Sequence, residues 1–232
     1  AGIVSDAVVN GLLPEYDLVG VYSRTAEKAE RIVAKMQQHG KTCMACTTIE
    51  DLLALKPDYL VEAASPAAMK ELALPALKNG TSIVTLSIGA LADTAFYQEV
   101  MKTAKVNGTR VYIVSGATGG FDVLRTASLM GNATAKFFNE KGPNALKGTA
   151  VYDEALQTEQ RVVFSGNATE AIAMFPTKVN VAVAASLASV GPENMQMSMQ
   201  STPGFVGDTQ RVEIKNEQVH ACLLYTSPSP RD

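Results

Sequence analysis

Through the first half of the chain, short runs of apolar and β-branched residues alternate with stretches whose apolar positions recur at helical spacing. This alternation constrains the fold more than any other feature. Asp17–Tyr22, Thr42–Thr47, Asp58–Ala64, Thr81–Ser87 and Arg110–Val114 read as strands. Between them, Thr25 is positioned to cap a helix that runs to His39 and stops at Gly40; Ile49–Leu55 reads as a helix; Pro66 starts another that ends near Gly80; and Ala92–Asn107 is helical. Strands this apolar, separated by helices, are buried on both faces, and the arrangement that buries them is a parallel sheet with helices on either side. Ahead of the first strand, Ile3, Val4, Ala7, Val8 and Leu12 give a further helix after a turn.

The last of these strands opens into Ser115-Gly116-Ala117-Thr118-Gly119-Gly120-Phe121-Asp122. Glycines let the backbone turn tightly and come close to a ligand, and open α/β sheets place ligands at the carboxyl ends of their strands. Taken alone, the run fits an unliganded turn equally well. After it the pattern changes. Asp122–Leu129, Thr169–Phe175 and Val179–Val190 read as helices and Gln160–Phe164 as a strand. Met195, Met197 and Met199 alternate with Gln196, Ser198 and Gln200, as do the residues of Arg211–Lys215, which is the period of a strand buried on one face. The expected fold class is therefore α/β: a Rossmann-like parallel-sheet nucleotide-binding domain over residues 1–115, and a second, smaller α+β domain over 116–221.

A net charge of −3 provides no basic field for nucleic acid or an anionic membrane, and no apolar run approaches the length of a bilayer span. Three cysteines are no disulfide framework, so the expected compartment is the cytoplasm. Cys43-x-x-Cys46 has metal spacing but lacks a second pair of ligands, and the methionines are expected to be core rather than ligands. Neither His39 nor His220 has a sequence partner that would make it a catalytic base. The chain opens at Ala1-Gly2, where a strand of such a sheet should already have finished, so it reads as a piece of a longer protein. The run 222–232 reads as translated sequencing adapter outside the native fold.

Preceded by a glycine, Ala1–Ser5 would complete G-x-G-x-x-S, setting Gly2, Ser5 and a helix N-terminus against a pyrophosphate. About 20 residues on, where a ribose-binding carboxylate is expected, stands Ser23-Arg24-Thr25. A guanidinium and two hydroxyls suit a 2′-phosphate, which a carboxylate would repel, so NADP is favoured over NAD. The alternative makes Arg24 a solvated helix-start residue and Thr25 simply a cap.

Tyr59–Pro66, Ser87-Ile88-Gly89-Ala90-Leu91, Ser115–Asp122 and Phe175-Pro176-Thr177-Lys178-Val179-Asn180-Val181-Ala182 resemble, in order and spacing, the L-aspartate dehydrogenase family over nearly all of Ala1 to Ala221. The resemblance implies a Rossmann domain with an α/β domain, a homodimer, and NAD(P)-dependent oxidation of L-aspartate to iminoaspartate. The imine would then hydrolyse or feed NAD biosynthesis. It also implies that Ala117 and Asn180 contact the cofactor near its nicotinamide, while Ala64, Ser65, Ser87 and Ile88 line its cleft. Two departures stand out. Gln210, in Asp208-Thr209-Gln210, occupies the position of the family's catalytic histidine, and Lys178 replaces an asparagine. An amide can orient a substrate but not exchange a proton near neutral pH, which brings Asp208 forward as a candidate for the proton role. The replacements keep open a dehydrogenase or imine reductase for another small amino acid, or a non-catalytic NADP(H)-binding protein.

Overall fold

The computed structural model describes residues 2–176 and 178–227. Ala1, Thr177 and 228–232, each part of a motif or tail named above, lie outside the described residues. The chain divides into two compact units: Ala1–Leu86 with Gln98–Tyr112, and Ser87–Tyr97 with Ile113–Asp232. The division falls just ahead of Ser115. The second unit also takes in Ser87–Tyr97 and is the longer of the two.

In the first unit the helices are α1 (Gly2–Val9), α2 (Ala26–Gln38), α3 (Ile49–Ala54) and α4 (Pro66–Lys78), and the strands β1 (Gly20–Tyr22), β2 (Met44–Cys46), β3 (Tyr59–Glu62) and β4 (Ser82–Thr85). A further helix, α5 (Thr94–Asn107), leads into β5 (Val111–Ile113). Strand pairing is parallel in β1–β2 and β3–β4, but the strands form two sheets, β1–β2 and β3–β4–β5, rather than the single continuous sheet expected. Val8, Val9, Met36 and Cys43 build one small core with Leu18 and Val21, which is why α1 and α2 lie where they do. Thr48 caps α3 in a reciprocal box: its hydroxyl accepts from Asp51 N–H, and the Asp51 carboxylate accepts from Thr48 N–H.

The second unit is built on a five-stranded mixed sheet. Its strands are β6 (Thr134–Lys141), β7 (Arg161–Asn167), β8 (Met195–Ser201), β9 (Asp208–Lys215) and β10 (His220–Ser227), in the order β10-β9-β6-β8-β7. The helices α6 (Phe121–Leu129), α7 (Ala168–Met174) and α8 (Asn180–Leu187) contribute Leu124, Ala127, Ala168, Ala171, Ala182 and Ala185 to the core on one face. Small residues let these helices approach Phe137, Val212, Ile214 and the three methionines Met195, Met197 and Met199, all buried as core. The central strand, β6, escaped the sequence reading because its inward positions are Ala135, Phe137, Asn139 and Lys141, so the apolar alternation lapses halfway.

Cys222–Ser227 corrects the expectation that the run from 222 lies outside the fold. It completes β10, paired residue for residue with β9. That pairing is made by backbone groups, with Ala221 and Leu223 packed on the core.

Candidate functional site

In the first unit, one buried carboxylate organises the ends of two strands. Glu62, the last residue of β3, accepts from Ala64 N–H (2.8 Å) and Ser65 N–H (3.0 Å) through Oε1 and from the Thr85 hydroxyl (2.8 Å) through Oε2. It thereby fixes the turn 63–65 and ties it to the end of β4. Ser65 then caps α4, accepting from Ala68 N–H (3.2 Å), with Pro66 as first helical residue. Ala64 is left exposed on this turn. Carboxylates at strand ends are usually sought as ligand contacts. Glu62 instead holds the backbone in shape.

At the end of β1, Ser23 Oγ accepts from Thr25 N–H (3.2 Å). Thr25 occupies the cap position of α2 with extended backbone, but its hydroxyl makes no capping bond, which corrects the simple cap reading. Arg24 and Thr25 are exposed, and neither side chain has a partner among the described residues. A free guanidinium beside a free hydroxyl at a strand end that leads into a helix is a donor set that fits a phosphorylated ribose. Ser5 is buried in α1, where its hydroxyl donates to the carbonyl of Gly2 (2.7 Å).

The second unit holds the other residues implied in cofactor contact. The glycine run is a tight turn, with Gly116 and Gly120 both at φ +68, where a side chain would be strained. Ala117 sits on its exposed tip, and Gly120 leads into α6. Ser87 and Ile88 begin a buried 3-10 turn, Ile88–Ala92, which packs on Val183 and Ala184 of α8. Asn180, at the start of α8, accepts from Gly89 N–H through Oδ1 (2.9 Å). An N–H can donate only to an oxygen, so this bond fixes which way the Asn180 amide lies and leaves its NH₂ as the free donor. A Cβ on Gly89 would collide with Ile172 and with that same oxygen. Lys178 reaches to the carbonyl of Ala145 (2.7 Å).

The chemistry of the second unit concentrates at one end of the inner sheet face. Cross-strand register lays out successive rows: Ile214–Ala135–Met195, Val212–Phe137–Met197, Gln210–Asn139–Met199 and Asp208–Lys141–Ser201. The first two rows are apolar and the last is polar. Lys141 Nζ donates to Asp208 Oδ2, and Asn139 Nδ2 donates to Asp208 Oδ1 and to the Thr209 carbonyl. Lys141, Asp208, Asn139 and Gln210 are all at most 6% exposed. Gln210 Oε1 and Ser201 Oγ are sealed from solvent without a hydrogen-bond partner. Lys141 is followed by Gly142, where a Cβ would run into the Phe205 carbonyl, so the exit from β6 is fixed against the loop after β8.

Among the described residues no cluster of His, Cys, Asp or Glu could hold a metal ion, and no helix is long and apolar enough to cross a membrane. His39 bonds the Lys35 carbonyl and His220 pairs with Glu213 on β9, so neither joins this cluster. Cys43 and Cys46 are free and buried, and burial pushes both thiols up from their ordinary value. An open concavity of about 520 Å³ is lined chiefly by Lys136, Phe138, Gln196, Ser198, Arg211 and Glu213, the positions that alternate with the polar cluster.

Residues 122–232 match the family model described as aspartate dehydrogenase, C-terminal, and residues 1–114 match homoserine dehydrogenase, NAD binding domain. An L-aspartate dehydrogenase of Methanococcus maripaludis is 30% identical over 85% of this chain and 73% of its own length. One from Cupriavidus taiwanensis is 30% identical over 86% and 74%. The chain belongs to the L-aspartate dehydrogenase family. The crystal structure of Thermotoga maritima aspartate dehydrogenase superposes with a TM-score of 0.68 at 24% identity, covering 90% of this chain and 89% of that one. The amine dehydrogenase of Mycobacterium smegmatis has the same kind of fold, with a TM-score of 0.51 at 18% identity, covering 97% and 85%. Along this chain the match to the NAD-binding domain model comes first and the match to the aspartate dehydrogenase C-terminal model follows it. Beside the expected site residues lie buried polar residues that the sequence did not single out: Glu62, which bonds the Ala64 and Ser65 N–H groups, and Asn139 and Lys141, which bond Asp208. A sequence signal existed for Asn139 and Lys141: two polar residues on the inward register of an otherwise apolar strand.

Proposed function

We propose that this chain is an NAD(P)-dependent L-aspartate dehydrogenase that favours NADP, with its substrate site at the polar end of the second unit's sheet. The observation that carries the reading is the buried Lys141–Asp208 pair, flanked by Asn139 and Gln210, in a chain of this family. A lysine ammonium has three donors. One is given to Asp208, leaving the others for a carboxylate of the substrate. Asp208 has both oxygens engaged, so its part is to hold Lys141 and Asn139 in place rather than to exchange a proton. When bound, a nicotinamide dinucleotide supplies the hydride acceptor for the substrate's α-carbon. The residues that would hold it are Arg24 and Thr25 at the ribose phosphate, the Glu62-organised turn with Ala64 and Ser65, Ser87 and Ile88, and Ala117 with the Asn180 amide near the nicotinamide. Gly2 and Ser5 belong to the pyrophosphate end of the same reading. By family likeness, the working form is a cytoplasmic homodimer.

The test is aspartate-dependent reduction of NADP⁺ and of NAD⁺. NADP⁺ is expected to be the better substrate. Arg24→Ala should weaken NADP⁺ about 10- to 100-fold, the worth of a charge-assisted hydrogen bond, and leave NAD⁺ nearly unchanged. Equal loss with both cofactors would remove the NADP preference. A second reading, a dehydrogenase for another small amino acid, is favoured by Gln210 and Lys178, where the family resemblance implies a histidine and an asparagine. A substrate panel in which aspartate alone turns over disposes of it.

A further inference from the structure

The orphaned oxygen of Gln210 marks where one substrate atom belongs. Gln210 is 6% exposed and its Oε1 is sealed from solvent without a hydrogen-bond partner, as is Ser201 Oγ in the next row. Asn139 gives its amide to Asp208 and to the Thr209 carbonyl, Lys141 gives one donor to Asp208 and keeps two, and Asp208 has both oxygens filled. A buried amide oxygen left unpaired is destabilising, and a ligand that brings a donor to it relieves that cost. On the proposed reading, the substrate offers two carboxylates, which can only accept, and one amino group, which can donate.

We propose that Gln210 seats the substrate's amino nitrogen, its Oε1 accepting an N–H of the amine and so selecting amino acids over the corresponding hydroxy acids. The inference rests on the aspartate dehydrogenase reading and names the group at this site that reads the nitrogen. A substrate ammonium gives Gln210 a charge-assisted hydrogen bond, roughly twice as strong as the neutral one a hydroxyl gives, so the amino acid satisfies this oxygen better than the hydroxy acid does. The amide does not take a proton. The substrate ammonium loses one to water before oxidation. The α C–H electron pair then leaves as hydride, and the nitrogen lone pair closes the C=N bond to give the iminium. The pH limb of the reaction thus belongs to the substrate's own amine, and no enzyme group titrating near neutrality is needed at position 210.

The experiment compares wild type with Gln210→Met, similar in volume but without an acceptor, and with Gln210→Glu, which restores one. Binding of L-aspartate and L-malate to the NADP⁺ complex is measured by calorimetry, and the KM for ammonium is measured in reductive amination of oxaloacetate. Wild type should bind aspartate more tightly than malate. Gln210→Met should lose most of that difference and raise the ammonium KM about 10- to 100-fold, with NADPH affinity unchanged. Gln210→Glu should recover the discrimination. If Gln210→Met keeps the aspartate preference and the ammonium KM while wild type oxidises aspartate, the assignment of the nitrogen is wrong and the dehydrogenase reading stands. If wild type binds NADPH but neither aspartate nor malate, both fall together.

Discussion

Two buried carboxylates stand at strand ends, one in each unit, and they are satisfied in opposite ways. Glu62 is held by two backbone N–H groups of the next turn and by Thr85, close by in the same sheet. Asp208 is held by side chains, Lys141 and Asn139, that arrive from a strand some seventy residues earlier. The first shapes a backbone turn, which on the proposed reading meets the cofactor. The second assembles a charged constellation, which on the same reading meets the substrate. A cluster made of strand ends, turns and caps is local in sequence. A cluster made of side chains converging across a sheet is not.

The sharpest way to break this comparison is to remove Lys141. Lys141→Met leaves Asp208 buried without its cation, and loss of about 3–5 kcal/mol in a urea titration is expected, together with loss of aspartate turnover. Pairing it with Asp208→Leu should return much of the stability but none of the turnover. If the double variant is no more stable than the single, the pair is not the unit described here. Removing the other carboxylate should cost less and act elsewhere. Glu62→Ala orphans donors on the 63–65 turn, costing about 1–3 kcal/mol, and should weaken NADPH more than it raises the aspartate KM. An equal effect on both would erase the contrast between the units.

Gly89→Ala tests the link between the 88–92 turn and α8. Overpacking against Ile172 and Asn180 should cost about 1–3 kcal/mol and weaken NADPH binding, whereas Asn180→Asp keeps the acceptor for Gly89 N–H and should lose NADPH affinity with little change in stability. The smallest effect is at the α3 cap. Hydrogen bonds from the Thr47 and Thr48 side chains and backbone hold the Asp51 carboxyl below its ordinary value. A carboxylate lowered in the folded state adds stability above its unfolded value, and that stability is lost as pH falls through the folded one. Asp51→Asn should therefore flatten the acid side of the melting-temperature profile slightly, with no effect at neutral pH on cofactor or substrate binding.

Much of the first unit was legible because its signals are local. Pro66 at a helix start, Gly40 and Gly80 after helix ends, and β-branched runs each act within a few residues, and the helices appear where those signals stand. Position 25 shows the limit: the residue type marked the start of α2, but whether its hydroxyl caps the helix or stays free depends on side-chain conformation. In the second unit the methionine alternation announced β8, whereas β6 was hidden by the polar residues that make it interesting.

The sequence by itself determined that strands and helices alternate through the first half, that the second half is mixed, and, through its motifs, which family the chain resembles. Periodicity and turn chemistry are properties of neighbours along the chain, so they survive without a fold. Only the tertiary structure decided that Lys141 faces Asp208, that Asn139 completes the grip and that Gln210 is left with an empty acceptor. Those relations depend on the register of β6 against β9. A shift of one residue would turn every one of these side chains to the other face.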